Sequence, residues 1–153
     1  MKDVVPTDHD FREAFKTATV SKEYLARYYL RVLENQYKGI LEPELLPNAN
    51  EEVVNLEHIL PENPDYGEDG WEYIEPEIVK AYYKRIGNMA LLRNKINSKI
   101  GNKGIKIKAP YYQDSSFELT KALGKEQTWD IGKIEERQKM LAELAVKAWP
   151  NKA

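Results

Sequence analysis

The chain has 153 residues, of which 42% are hydrophobic and 31% charged, and its formal net charge is −2. This length and balance fit one globular domain over residues 1–153 and exclude a disordered or fibrous protein. Cysteine is absent, which excludes disulfides and thiolate zinc sites and agrees with a reducing compartment. We find no signal-peptide core and no apolar run of 18 residues, so we expect a cytoplasmic protein without a membrane partner.

The charges are unevenly distributed along the chain. Residues 42–77 hold 12 acidic side chains and no Lys or Arg, whereas residues 93–108 hold six basic side chains and no acidic one. The basic ones are Arg93, Lys95, Lys99, Lys103, Lys106 and Lys108. Such a segment is either an ordinary solvated surface or the local positive footprint that a polyanion requires.

The first third of the chain predicts two helices. Thr7 can cap a helix that runs to about Lys16, and Ser21 opens a longer helix that Gly39 follows. Apolar and aromatic residues recur in the second helix at helical spacing. These residues are Tyr24, Leu25, Tyr28, Tyr29, Val32 and Leu33. We expect the tyrosines among them to face the core.

The middle of the chain predicts a small β element. Residues 40–52 form a loop, and Val53–Leu60 is β-branched and apolar, which favours a short strand. Residues 61–74 are an irregular, acidic excursion, and a helix begins at Pro76 and ends at Gly87. A second strand over Asn88–Leu92 and a short helix over Asn94–Ile100 follow.

The last third predicts a loop and two helices. Gly101–Ser116 is polar and basic and indicates a loop; a short helix then covers Phe117–Leu123. The final helix runs from about Asp130 to Trp149, with Trp129 and Trp149 anchoring its ends in the core. The fold class is therefore mainly α with a small central two-stranded element, an α+β arrangement.

His58 is the more informative of the two histidines. His9 lies among polar residues that open a helix, whereas His58 follows Glu57 inside the first apolar strand. Adjacent strand residues point to opposite faces, so one of this polar pair must face the interior. A buried polar group needs a partner. His58 is therefore either part of a polar site or a structural histidine bonded to a backbone carbonyl.

Oxygen ligands and a base occur together around this strand. Glu57 and Asn97 supply the carboxylate and amide oxygens that suit Mg²⁺ or Mn²⁺. Beside such an ion His58 can take a proton from water, because an imidazole titrates near neutral pH. Asn94 lies three residues from Asn97 on the same helical face and could share or take its role.

Three short motifs resemble a known family. They are LEHILP at 56–61, IGNMALL at 86–92 and INSKIGNK at 96–103. Together they are similar to the C-terminal nuclease domain of GmrSD-type restriction endonucleases. The resemblance runs from about residue 8 to 149, and its closing part rests on Lys108, Tyr111, Ser116, Phe117, Leu119, Thr120, Trp129, Ile134, Arg137 and Trp149.

The resemblance implies an HNH fold and a set of roles. An HNH, or ββα-metal (His-Me finger), core would occupy residues 53–101, flanked by helical segments at 8–38 and 117–149. In such nucleases His58 would be the general base, and Glu57 and Asn97 would bind Mg²⁺ or Mn²⁺. Asn88 would orient the base or its loop. Lys108 would contact phosphate in DNA, and we add Lys99, Lys103 and Lys106 to this nucleic-acid-binding set.

The family also implies a biological setting. Such domains restrict foreign or base-modified DNA in bacteria and follow an N-terminal nucleotide-hydrolysing module. The 153 residues contain no GxxxxGK[ST] motif, so we expect the chain to be either an isolated domain or a stand-alone member of the family. Two alternatives stay open: a catalytically silent nucleic-acid-binding or regulatory module, and an RNA-cleaving HNH nuclease with the same site.

Overall fold

A computed structural model describes residues 7–39 and 54–150 of the chain. The predicted loop at 40–52 and Val53 of the predicted strand lie outside these residues. The helices are α1 (Asp8–Phe15), α2 (Glu23–Lys38), α3 (Pro76–Tyr82), α4 (Asn94–Ile100), α5 (Ile105–Gln113), α6 (Glu118–Lys121) and α7 (Ile131–Ala148). The strands are β1 (Val54–His58) and β2 (Met89–Arg93). The described part is thus α+β, mostly helical with a small sheet, as predicted.

Local signals set the ends of α1 and α2. The Thr7 hydroxyl accepts a hydrogen bond from the Asp10 amide at 3.0 Å, which satisfies a free N–H of the first turn. Gly39 ends α2 in the left-handed conformation, with φ of 80°. The start of α2 differs from the prediction, since it begins at Glu23 without a side-chain cap and not at Ser21.

The prediction that the α2 tyrosines face the core is wrong for two of them. Tyr24 and Tyr28 are 61% and 49% exposed. The buried stripe is Ala26, Leu30 and Leu33, which recur at intervals of four and three residues. The aliphatic stripe therefore decides how the helix is rotated, and the tyrosines lie outside it.

The two strands form one antiparallel sheet whose register decides which side chains share a face. His58 lies opposite Met89 and Glu57 opposite Ala90. Because side chains alternate along a strand, Glu57 and His58 point to opposite faces, as expected from the sequence.

Each face of the sheet packs in a different hydrophobic core. The His58 face packs on residues of α2, α6 and α7, and its core contains Leu30, Leu33, Leu56, Met89, Leu91, Leu119 and Leu141. The Glu57 face packs on α4 and α5, and its core contains Ile59, Ala90, Leu92, Ile100, Ile105, Tyr112 and Trp129. Helix α7 contributes to both cores, through Ile134 and Leu141.

The largest error in the sequence prediction concerns the basic segment. We expected a loop over Gly101–Ser116, but α5 occupies Ile105–Gln113. Its buried positions are Ile105, Lys108, Ala109 and Tyr112, which have helical spacing. A lysine within the inner stripe hides this periodicity from a hydrophobicity pattern. Pro110 inside the helix further weakens the signal.

The remaining elements agree with the sequence more closely. α4 has the predicted bounds, and α3 begins at Pro76 but ends at Tyr82, before Gly87. A 3-10 turn over Ala122–Lys125 continues α6. The Asp130 carboxylate caps α7 by accepting from the Lys133 amide at 3.0 Å. No helix in the described ranges is long and apolar enough to cross a lipid bilayer.

Candidate active site

His58 stands at the end of β1, where the chain leaves the sheet. It is half-buried and its ring centroid lies 5.7 Å from that of Tyr83, at an angle of 47°. The Tyr83 hydroxyl donates to Glu62 at 3.3 Å, and the Lys84 ammonium lies 5.6 Å from the centroid of the Tyr83 ring. His58 therefore lies beside an aromatic ring with a carboxylate and an ammonium close by.

The environment of His58 keeps its imidazole in the basic form. Burial lowers the pKa of His58 below its usual 6.5. The carboxylates of Glu23 and Glu62 act in the opposite direction, whereas the ammonium groups of Lys84 and Lys108 lower the pKa further. A neutral imidazole at physiological pH can accept a proton, which is the state that a general base requires.

Asn88 connects the start of β2 to the turn that follows His58. Its side-chain oxygen accepts from the Leu60 amide at 2.8 Å and from the Trp129 indole at 3.0 Å. Its side-chain nitrogen donates to the carbonyls of Leu60 at 2.9 Å and Tyr83 at 3.0 Å. The side chain is fully buried. These hydrogen bonds tie the Asn88 side chain to the backbone at Leu60, two residues after His58, and at Tyr83, whose ring lies beside the imidazole.

Glu57 faces the opposite core, where two donors surround it. Its carboxylate accepts from the Lys108 ammonium at 3.5 Å and from the Tyr112 hydroxyl at 3.1 Å. Glu57 is 3% exposed and Lys108 is 0% exposed. Burial raises the pKa of Glu57 to about 7, and burial also lowers the pKa of Lys108.

This environment does not fit Glu57 as a metal ligand. Mg²⁺ usually keeps several of its waters, but Glu57 is 3% exposed and its carboxylate lies 3.5 Å from the Lys108 ammonium, which is already a cation at this place. A hydrated divalent cation would have to compete with the Lys108 ammonium for this buried carboxylate. Over residues 7–39 and 54–150 no three His, Asp or Glu side chains form a cluster that could hold a metal.

Asn97, the other predicted ligand, lies on α4. This helix contributes Ile96 and Ile100 to the core on the Glu57 face of the sheet. Asn97 is half-buried, and no hydrogen bond within the described part of the chain joins it to Glu57 or His58. The metal-binding role of Asn97 therefore stays a prediction.

The basic segment forms an exposed surface that does not include Lys108. The exposed members lie on β2, on α4, in the turn after α4 and at the start of α5; they are Arg93, Lys95, Lys99, Lys103 and Lys106. Lys108 points inward, where it donates to the carbonyls of His58 and Ile59, at 3.0 Å each. Its predicted contact with phosphate is thus not supported by this geometry, whereas the other predicted lysines are accessible to a polyanion.

Sequence reasoning missed the residues around His58. They are Glu23, Glu62, Tyr83 and Lys84, and they come from the start of α2, the acidic excursion and the end of α3. Only Tyr83 and Lys84 carried a usable signal, because they stand shortly before the IGNMALL motif. The other two reach His58 only through tertiary packing.

Comparison with known proteins adds one finding. A family model described as the C-terminal domain of GmrSD restriction endonucleases matches residues 5–144. The matched range contains His58, Asn88, Glu57, Asn97 and Lys108. No curated protein matches the chain.

Proposed function

Because the chain belongs to the family of GmrSD restriction endonuclease C-terminal domains, we propose that it is a phosphodiester hydrolase acting on DNA with His58 as general base. The observation that carries the assignment is the half-buried imidazole at the end of β1, whose pKa burial lowers. The order β1, β2, α4, in which a helix directly follows two antiparallel strands, supports an HNH (His-Me finger) core over residues 53–101.

The proposed reaction is hydrolysis of one P–O bond. A ring nitrogen of His58 takes a proton from water while the water oxygen attacks phosphorus. The bond to the 3′ oxygen breaks, this oxygen takes a proton from solvent water, and His58 later returns its own proton to solvent. The products are a 5′-phosphate and a 3′-hydroxyl. Asn88 holds the backbone that carries the base, through its hydrogen bonds to Leu60 and Tyr83.

Mg²⁺ or Mn²⁺ remains a prediction from the family resemblance. In that family the cation supplies charge stabilisation at the scissile phosphate. Since Glu57 is buried and lies beside the Lys108 ammonium, no step of the proposed mechanism is assigned to a metal on this residue.

The substrate proposal rests on local charge. The exposed lysines Lys95, Lys99, Lys103 and Lys106 form a positive surface on a chain with a net charge of −2. Such a surface attracts a phosphate backbone without reading its sequence. We propose that the domain restricts foreign or modified DNA in bacterial cytoplasm, together with an N-terminal nucleotide-hydrolysing module outside these residues.

Replacement of the base tests the proposal. His58→Ala should abolish cleavage of plasmid DNA, whereas His9→Ala, at the exposed histidine of α1, should cut like the unmodified protein. Circular dichroism shows whether the variants are folded. Robust nicking by folded His58→Ala would contradict the assignment. Parallel reactions with single-stranded DNA and RNA distinguish a DNA-cleaving from an RNA-cleaving enzyme.

The buried state of Glu57 favours one second candidate. A catalytically silent nucleic-acid-binding module would keep the fold and the basic surface but have no need of an open metal site. It would bind DNA with an affinity that falls as salt rises. It would also cleave none of the three substrates with added Mg²⁺ or Mn²⁺.

A further inference from the structure

The buried Lys108 ammonium has a specific set of partners. It donates to the backbone carbonyls of His58 and Ile59 at 3.0 Å each, and it lies 3.5 Å from the Glu57 carboxylate. The Lys108 side chain is 0% exposed. A lysine is almost never fully buried unless it is paired. The partners of Lys108 therefore offset the cost of burying its ammonium.

These partners form an oxygen cage for a cation. Two carbonyls and a carboxylate are the kind of ligands that bind hard cations in proteins, and here the cation is the end of a side chain. The Tyr112 hydroxyl donates to the second oxygen of Glu57 at 3.1 Å. The carboxylate is thereby held in place, and the cage is complete without a metal ion.

The cage is built on the turn that carries His58. Lys108 binds the carbonyl of His58 itself and that of the next residue, while the Ile59 amide donates to the Asn88 carbonyl at 2.9 Å. The last residue of β1 is thus fixed from α5 on one side and from the start of β2 on the other. Movement of the ammonium would change the direction in which the imidazole points.

We propose that Lys108 is a positioning residue for His58, and that Glu57 serves as the counterion of its ammonium and not as a metal ligand. The first half rests on the proposed function, since it matters for cleavage only if His58 is the base. A misplacement of about 1 Å in a catalytic group can cost about 100-fold in rate. Loss of the ammonium should therefore lower kcat more than it changes KM.

The test uses four variants of the full chain, three for the position of His58 and Glu57→Gln for metal binding. Lys108→Met removes the ammonium, and Lys106→Met removes an exposed ammonium of α5 as the matched control. Lys108→Met leaves Glu57 without its cation and can fail to fold. The double variant Glu57→Gln/Lys108→Met removes both charges, so no buried charge is left without a partner. It therefore tests the position of His58 separately from folding.

The primary measurement is independent of cleavage. The chain has two histidines, so ring-labelled protein gives two imidazole signals in NMR spectra, and exposed His9 is the internal reference. We expect the His58 signal to shift in the double variant and to stay unchanged in Lys106→Met. An unchanged His58 signal in the folded double variant would overturn the positioning role of Lys108. This result does not depend on whether the proposed nuclease activity is correct.

Cleavage and metal binding complete the test. We expect kcat of the double variant to fall by about 10- to 100-fold with little change in KM; a wild-type kcat would contradict the proposal. For Glu57, binding of Mn²⁺ alone is followed by electron paramagnetic resonance. Bound Mn²⁺ should be the same in Glu57→Gln as in the unmodified protein, and loss of an ion in Glu57→Gln would show that Glu57 is a ligand.

Discussion

Asn88→Ala should destabilise the fold more than any exposed polar substitution. The Asn88 side chain makes four hydrogen bonds, to the Leu60 amide and carbonyl, the Tyr83 carbonyl and the Trp129 indole, at 2.8–3.0 Å. Each such bond contributes about 1 kcal/mol net, and a buried group left without a partner costs about 1–3 kcal/mol. The expected loss is therefore about 4 kcal/mol in the free energy of unfolding.

Urea denaturation at neutral pH measures this loss. Asn102→Ala is the matched control, because Asn102 is exposed and its side-chain nitrogen donates only to the Asn63 carbonyl, at 3.2 Å. A surface change of this kind should stay within about 0.5 kcal/mol. If Asn88→Ala lost less than about 1 kcal/mol, the reasoning about its buried network would be refuted, since a single hydrogen bond could account for the effect.

Three further predictions concern packing, pH and charge. Gly87→Ala should destabilise by about 1–3 kcal/mol in thermal or urea unfolding, because its Cβ would lie 2.6 Å from a backbone oxygen of α7. Gly132→Ala, inside α7 and without such a clash, should stabilise by about 0.5–1 kcal/mol. If both substitutions changed the free energy of unfolding in the same direction, the close packing of Gly87 against α7 would be contradicted. The rate of DNA cleavage should fall as pH falls through the lowered pKa of His58, so a midpoint above 6.5 in the pH–rate profile would be inconsistent with a buried neutral base. Lys99→Ala should reduce the slope of log K for DNA binding against log salt by about 0.9, whereas Lys139→Ala on α7 should not, and identical slopes would argue against a basic surface on α4.

Local patterns in the sequence were enough to predict the two strands of the sheet and the helix that follows them. Each strand is a short apolar run, and α4 follows β2 without a loop, so β1, β2 and α4 were predicted within one or two residues at each end. The opposite orientation of Glu57 and His58 followed from strand geometry alone. These features depend on neighbouring residues, which a single sequence contains.

The features that the sequence did not predict depend on packing between residues that are distant in the chain. Helix α5 was predicted as a loop because Lys108 interrupts its apolar stripe, and partners distant in sequence, the Glu57 carboxylate and the His58 and Ile59 carbonyls, make that burial possible. The prediction that Tyr24 and Tyr28 face the core was wrong because aliphatic side chains of the same helix occupy the core positions. Glu62 reaches the His58 environment from the acidic excursion, and no periodicity predicts that contact.

The central claim is that His58 acts as the general base of a nuclease. The most direct measurement is the single-turnover rate constant of DNA cleavage by folded His58→Gly, with and without added imidazole. General-base catalysis contributes about 10²- to 10⁴-fold, so the rate should fall by about that factor and be partly restored by imidazole. Cleavage at the unmodified rate without imidazole would contradict the account.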